Sequence, residues 1–208
     1  MDNVVRGSDQ LVLRHQLDGL SPTSVITVRL ATPQQLAGLA AIARQEIPGV
    51  TATGESLTRF LYDNPESIFA FQRSEILLGG IAFLHLNCRG HEALLLDDID
   101  LKAPSRDLLA RPDEPVSAMY VWGLAGYGRA ALGLANVNEY LRKPRFIGAN
   151  YLARSSTPAG RNLLMAIGFQ PIPSFQNDLW SYERSWNGAS KILPASLRSE
   201  RSFADARH

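Results

Sequence analysis

One run in the 208-residue chain has residue types and spacing suited to holding an anion: Gly123-Leu124-Ala125-Gly126-Tyr127-Gly128-Arg129. It follows the apolar stretch Val116–Leu124 and leads into Ala130-Ala131-Leu132. Glycines at a strand-to-helix turn leave backbone N–H groups uncovered, and a helix start adds partial positive charge, so phosphate binds readily there. The dinucleotide fingerprint is not met, because Ala131 stands where its third glycine is required, and no Walker lysine follows. Arg129, Arg142, Lys143, Arg145, Arg154 and Arg161 lie close by in sequence. The planar guanidinium fork suits phosphate, although residues 142–145 equally suit a helix C-terminus, where cations are favoured.

The other chemistry-bearing residues are scattered. Asp97, Asp98 and Asp100 form an acidic group that fits a cationic ligand, a solvated loop or a helix cap. His85 alternates with apolar neighbours and reads as a core histidine. His15, His91 and His208 follow no ligand spacing, so no metal site is expected. Cys88 is the only cysteine; it excludes a disulfide framework and needs a nearby base before it counts as a nucleophile.

The elements that must position the turn follow from periodicity. Val25–Leu30 is β-rich, and Thr32-Pro33 is a helix start for Gln34–Ile47, stopped by Pro48-Gly49. A second helical pattern covers Glu55–Tyr62. Ser67–Gln72 and Ile76–Leu86 form a hairpin, with Gly79-Gly80 predicting a bulge or a close backbone approach. His91–Pro112 is ambiguous between a helix and an irregular excursion. Then come strand Val116–Leu124, helix Gly128–Leu141, strand Phe146–Ala153, helix Pro158–Ala166, and a strand pair at Phe169–Ile172 and Leu179–Arg184.

Composition bounds the classes. Hydrophobic residues make up 45% and charged residues 20%, the profile of a globular chain with a sizeable core. The net charge of +1 gives no nucleic-acid footprint, yet it is uneven. Residues 1–100 hold 7 Lys/Arg against 12 Asp/Glu, and residues 101–208 hold 14 against 8, so an anionic ligand is expected in the second half. Pro115–Asn138 is long enough for a membrane span, but its glycines and Arg129 favour a strand–turn–helix in a core. With no apolar leader in residues 1–22, a cytoplasmic location is expected. The organisation expected is an N-terminal extension (1–24), one domain (25–185) and a polar C-terminal tail (186–208).

From about Ile26 to Arg184 the chain resembles the GNAT superfamily of N-acetyltransferases. Gly123–Gly128 is similar to that family's Q/R-x-x-G-x-G/A loop, and Thr157–Phe169 is similar to its helix ending in Gly-Phe after the fifth strand. The resemblance implies an α/β (α+β) fold with a mixed, mostly antiparallel central sheet flanked by helices on both faces. It implies acetyl-CoA, or another acyl-CoA, as co-substrate, its pyrophosphate cradled by Gly123, Leu124, Ala125, Gly126, Tyr127, Gly128 and Arg129. Thr157 and Arg161 would add contacts from the second landmark. Backbone donors polarising the thioester carbonyl would fall near Ala118, Met119 and Tyr120.

Three positions depart from the pattern. Gly123 stands where Gln or Arg is usual, Leu164 where a proton-donating tyrosine is common, and Thr157 where an asparagine often lies. Glu114 is the first candidate base, with the Asp97–Asp100 group behind it. Tyr120, Tyr127 and Tyr151 are the candidate acids, Tyr120 foremost, although Tyr120 with Trp122 also fits a core or pocket wall. The activity implied is direct acetyl transfer to an amine, without a covalent enzyme intermediate. The alternatives are a non-catalytic acyl-CoA-binding module, and transfer of a longer chain from an acyl carrier protein. The expected partner is a small-molecule or peptide amine, received by about Pro48–Tyr62 and His91–Asp113, with no nucleic acid and no membrane. Dimers are common in the family, so the resemblance also raises a homodimer.

Overall fold

The computed structural model describes residues 25–182. The expected extension 1–24, the tail 186–208 and the end of the last expected strand lie outside the described residues. β1 (Ile26–Leu30) leads to α1 (Pro33–Glu46), where the Thr32 N–H donates to the Gln35 side chain at 2.9 Å and Pro33 opens the first turn. Thr53 and Ser56 cap α2 (Gly54–Asp63) reciprocally, through bonds of 3.1 and 2.9 Å. β2 (Ile68–Arg73) and β3 (Ile76–Leu86) follow, then the short α3 (Cys88–Leu95), β4 (Ala118–Gly126), α4 (Leu134–Tyr140) and β5 (Asn150–Arg154). α5 (Pro158–Ala166), β6 (Gln170–Pro171) and β7 (Leu179–Tyr182) complete the order.

The strands make one sheet in the order β1-β2-β3-β4-β5-β7-β6. Every neighbouring pair is antiparallel except β4 with β5. One face carries Phe69, Phe71, Phe83, Met119 and Tyr151 and packs against Val137 of α4 and Leu164 of α5. The other carries Ala70, Leu84, Leu86 and Leu152 and packs against Leu36, Leu57 and Leu94 of α1, α2 and α3. Helices therefore cover both faces, and the expected mixed sheet is observed.

Two bulges distort the centre of the sheet. β2 and β3 pair Phe71 with Gly79 and Gln72 with Leu77, leaving Leu78 extra. β3 and β4 pair Ala82 with Gly123 and Phe83 with Val121, leaving Trp122 extra. An extra residue bends its strand and re-aims side chains, which is why bulges recur beside functional sites.

Two sequence expectations need correction. The helix expected over Gly128–Leu141 is a 3-10 turn at Ala130–Gly133 followed by α4 alone. Gly128 is left-handed (φ 55°), so it cannot open a helix, and Gly133 sits against Val28 and Phe71, where a Cβ would come within 3.0 and 3.1 Å. The strand expected from Phe146 begins only at Asn150. Phe146 is instead a fully buried plug beside the rings of His85 and Tyr140, at 5.1 and 5.8 Å. The stretch Pro115–Asn138 resolves into strand, turn and helix, and no helix among the described residues is long and apolar enough to cross a membrane.

Buried Asn64 extends the sheet where β2 has not yet begun. Its amide donates to the Phe83 carbonyl at 2.5 Å, and its Oδ1 accepts from the His85 N–H at 3.3 Å. Asn64→Ala strands both backbone groups in the interior, each costing about 1–3 kcal/mol. We expect a loss of about 3 kcal/mol, seen as a fall of roughly 10 °C in melting temperature. A change within 2 °C would show that the side chain is dispensable.

Candidate active site

β4 and β5 run parallel for only four pairs, from Ala118–Asn150 to Val121–Ala153. Beyond Val121 the edge of β4 facing β5 has no strand partner among the described residues, while its other edge stays paired with β3 as far as Gly126. The two strands therefore part at Trp122, where β4 also bulges. Ala118 and Met119 lie inside the paired stretch and are fully buried. The backbone donors left free by the parting belong to the segment Trp122–Gly126, a few residues beyond the Ala118–Tyr120 position expected from the resemblance.

The glycine turn closes that segment. The Tyr127 N–H donates to the Leu78 carbonyl at 2.8 Å, and its hydroxyl donates to Gln45 Oε1 at 2.6 Å, tying the turn to the β3 bulge and to α1. Tyr127 is thus a strut. The N–H groups of Gly128 and Arg129 meet no backbone acceptor among the described residues. Gly128 at φ 55° followed by Arg129 at φ −89°, ψ 17° is a left–right pair, the backbone pattern of a nest. A Cβ on Gly128 would meet nothing within 4 Å, so the approach is open. Arg129 is exposed and makes no ion pair among the described residues. The turn thus fits a phosphate through backbone donors and one free guanidinium.

The second landmark is used differently. Thr157 caps α5, its hydroxyl accepting from the Gly160 N–H at 3.0 Å. Arg161 is bound to Asp178 at 2.9 Å, across from α5 to the start of β7. Leu164 is buried in the core. Arg145 is likewise committed, donating to the carbonyls of Ala110, Arg111 and Glu114 at 3.3, 2.8 and 3.2 Å. Of the expected cations, Arg129 is the one standing free at the turn.

A cavity of about 360 Å³ opens on the α1–α2 side of β4. Its walls come from α1 (Leu39, Ala43, Ile47), the segment 49–57, the middle of β3 and the loop at Leu101-Lys102; Tyr120, Trp122, Gly123 and Ala125 supply its β4 side. Trp122 stacks on Phe60 at 4.3 Å, and its indole N–H donates to the Leu101 carbonyl at 2.6 Å. Tyr120 is 6% exposed, and burial pushes its hydroxyl pKa up, partly opposed by the Arg154 charge. It stays protonated.

Glu114 is not brought to this cavity. Its carboxylate accepts from the Arg111 N–H at 3.1 Å and pairs loosely with the Arg111 guanidinium at 3.9 Å, closing a local turn before β4. Asp100 caps the Lys102 N–H at 2.9 Å, and Asp98 lines a separate shallow surface hollow with Arg89. His91 lies against Ser117 Oγ at 3.3 Å, its pKa lowered by burial. Cys88, at the exposed start of α3, does not line the cavity. The lining segments 49–57 and 101–102 lie within the stretches Pro48–Tyr62 and His91–Asp113, whereas the α1 wall carries no signal beyond ordinary amphipathicity.

No family model matches the sequence, and no curated protein matches it. Solved structures match in shape. The loading GNATL domain of CurA from Lyngbya majuscula aligns at TM-score 0.56 and 12% identity, over 76% of this chain and 98% of that one. The chain has the GNAT fold. Also similar, at lower TM-scores of 0.48 and 0.45, are the GphF GNAT-like decarboxylase in complex with isobutyryl-CoA and a GNAT family acetyltransferase from Brucella melitensis in complex with acetyl-CoA. The first is 17% identical over 66% of this chain and 71% of its own; the second is 12% identical over 80% and 93%. Within the GNAT fold of this chain, the parted strands, the nest and the cavity adjoin one another along β4.

Proposed function

We propose that the chain is an acyl-CoA-dependent N-acyltransferase, with acetyl-CoA the first donor to test. The observation that carries this reading is the juxtaposition along β4 of a free strand edge, an open nest at Gly128-Arg129 and an apolar cavity. The nest and the Arg129 guanidinium would hold the pyrophosphate. The free edge of Trp122–Gly126 would hold the amide-rich arm and place N–H donors at the carbonyl, where negative charge develops during transfer. Bound acyl-CoA supplies an activated thioester. Tyr120 would donate its proton to the departing thiolate, and holding both reactants in one cleft supplies much of the acceleration. One domain spanning about residues 25–185 would carry the whole site.

A second reading, a non-catalytic acyl-CoA-binding module, is favoured by the position of Glu114 away from the cavity. Calorimetry with acetyl-CoA, free CoA and dephospho-CoA, on wild type and Gly128→Trp, tests both. We expect acetyl-CoA affinity to fall at least 30-fold in the variant, with an unchanged circular dichroism spectrum. No binding by wild type would remove both readings. Binding without thiol release across a broad amine panel would leave only the second.

A further inference from the structure

Building on the acyltransferase reading, we propose that the cavity receives a neutral aromatic amine bearing a carboxylate as acyl acceptor, with Lys102 reading the carboxylate. Among its nineteen lining residues none is acidic and none is a histidine; the one charged residue is Lys102. An alkylammonium, with a pKa near 10, enters such a cavity charged. It would shed its water against Leu39, Ile47, Leu57 and Trp122, beside a like charge, with no lining carboxylate to pair with or to take its proton. Burying an unpaired charge costs several kcal/mol. An aromatic amine has its lone pair delocalised into the ring, so it is neutral at pH 7 and needs no base before attack.

The Trp122 side of the cavity fits the rest of such a molecule. Trp122 is held flat by Phe60, and its N–H bond to Leu101 fixes the loop that carries Lys102. The Asp100 carboxylate caps the Lys102 backbone N–H, and the Lys102 ammonium makes no ion pair among the described residues. An aromatic wall and a free cation one residue beyond its anchor match a ring carrying a carboxylate. In the transfer, the amine lone pair forms the C–N bond at the thioester carbonyl carbon. The C–S bond breaks with its pair on sulfur, and the proton lost by nitrogen balances the one gained by the thiolate. The products are an amide and a free thiol.

The probes are 4-aminobenzoate, aniline and hexylamine. Tryptophan fluorescence, without any CoA, is expected to show saturable binding of 4-aminobenzoate. Lys102→Ala should weaken that binding about fivefold, the worth of an exposed ion pair, and leave aniline unchanged. With acetyl-CoA, kcat/KM at pH 7 should favour 4-aminobenzoate over hexylamine by at least 100-fold. It should be flat from pH 6.5 to 9 for 4-aminobenzoate, and rise about tenfold per pH unit for hexylamine. Equal turnover of hexylamine at pH 7, or 4-aminobenzoate binding indifferent to Lys102, overturns the inference. So does octanoyl-CoA that binds more tightly than acetyl-CoA and excludes 4-aminobenzoate, because the cavity would then hold the acyl chain. If acetyl-CoA binds by calorimetry and 4-aminobenzoate does not, this inference alone falls. If acetyl-CoA does not bind, the acyltransferase reading falls and takes the acceptor role with it.

Discussion

Gly79→Ala is expected to destabilise the protein by about 3–5 kcal/mol, because its cost combines a steric clash with backbone strain. Gly79 pairs with both Phe71 and Gly126, next to the extra residue Leu78. A Cβ there would lie 2.2 Å from the Ala125 carbonyl oxygen and 2.5 Å from Gly126 Cα. Those are main-chain atoms at the centre of a sheet, and they cannot rotate aside. The φ of 155° adds strain for any residue with a side chain. Gly49 is the control: its φ is 76°, but a Cβ meets nothing within 4 Å, so Gly49→Ala should cost only about 1–2 kcal/mol. Urea denaturation separates the two. If Gly79→Ala yields no soluble protein while Gly49→Ala does, the contact is also upheld; equal costs would show that φ alone matters. The same close approach carries a functional consequence. Leu78 supplies the carbonyl that receives the Tyr127 N–H, so pushing β3 from β4 loosens the start of the nest. Folded Gly79→Ala should therefore bind acetyl-CoA more weakly, although the substitution lies outside the turn.

That coupling marks how far the sequence reaches. Thr32-Pro33, the extent of β3, the close approach at Gly79-Gly80 and the helix Pro158–Ala166 were legible because each is set by local chemistry: a cap, an apolar run or a residue without a Cβ. The position of the strand parting was not. It depends on β5 ending at Arg154, which nothing in β4 encodes, and so the free edge falls at Trp122–Gly126 rather than Ala118–Tyr120. The short helix Cys88–Leu95 was hidden for a related reason. Its cap, Asn87, also donates to the carbonyls of Asp107 and Leu109, twenty residues and more away, so long-range bonds stabilise it. Thr157 and Arg161 have residue types that suit a ligand equally well as a helix cap and an ion pair, and only their partners distinguish the roles. The cavity draws on α1, α2, β2, β3, β4 and a loop, a convergence that periodicity does not display.

His85→Leu is expected to remove most of one proton's worth of acid sensitivity. His85 is fully buried beside Phe146, and neither ring nitrogen has a hydrogen-bond partner among the described residues. Burial, aided by the Arg145 charge, lowers its pKa from 6.5 to about 3. The folded state therefore keeps the ring neutral, while the unfolded chain takes up a proton below about pH 6.5. Stability from this residue is complete above pH 6.5 and declines as pH falls toward 3, with a slope approaching 1.4 kcal/mol per pH unit and a total of about 5 kcal/mol. His91, lowered by burial in the same direction, contributes its own slope in both proteins, so the difference between them isolates His85. At pH 7 the variant should match wild type within about 1 kcal/mol, since replacing an unpartnered polar ring by an apolar side chain relieves about as much as the lost ring contact costs. At pH 5 it should exceed wild type by about 2 kcal/mol in urea denaturation, and by more at pH 4. Parallel stability profiles from pH 4 to 7 would mean that the ring finds a partner or water in the folded state.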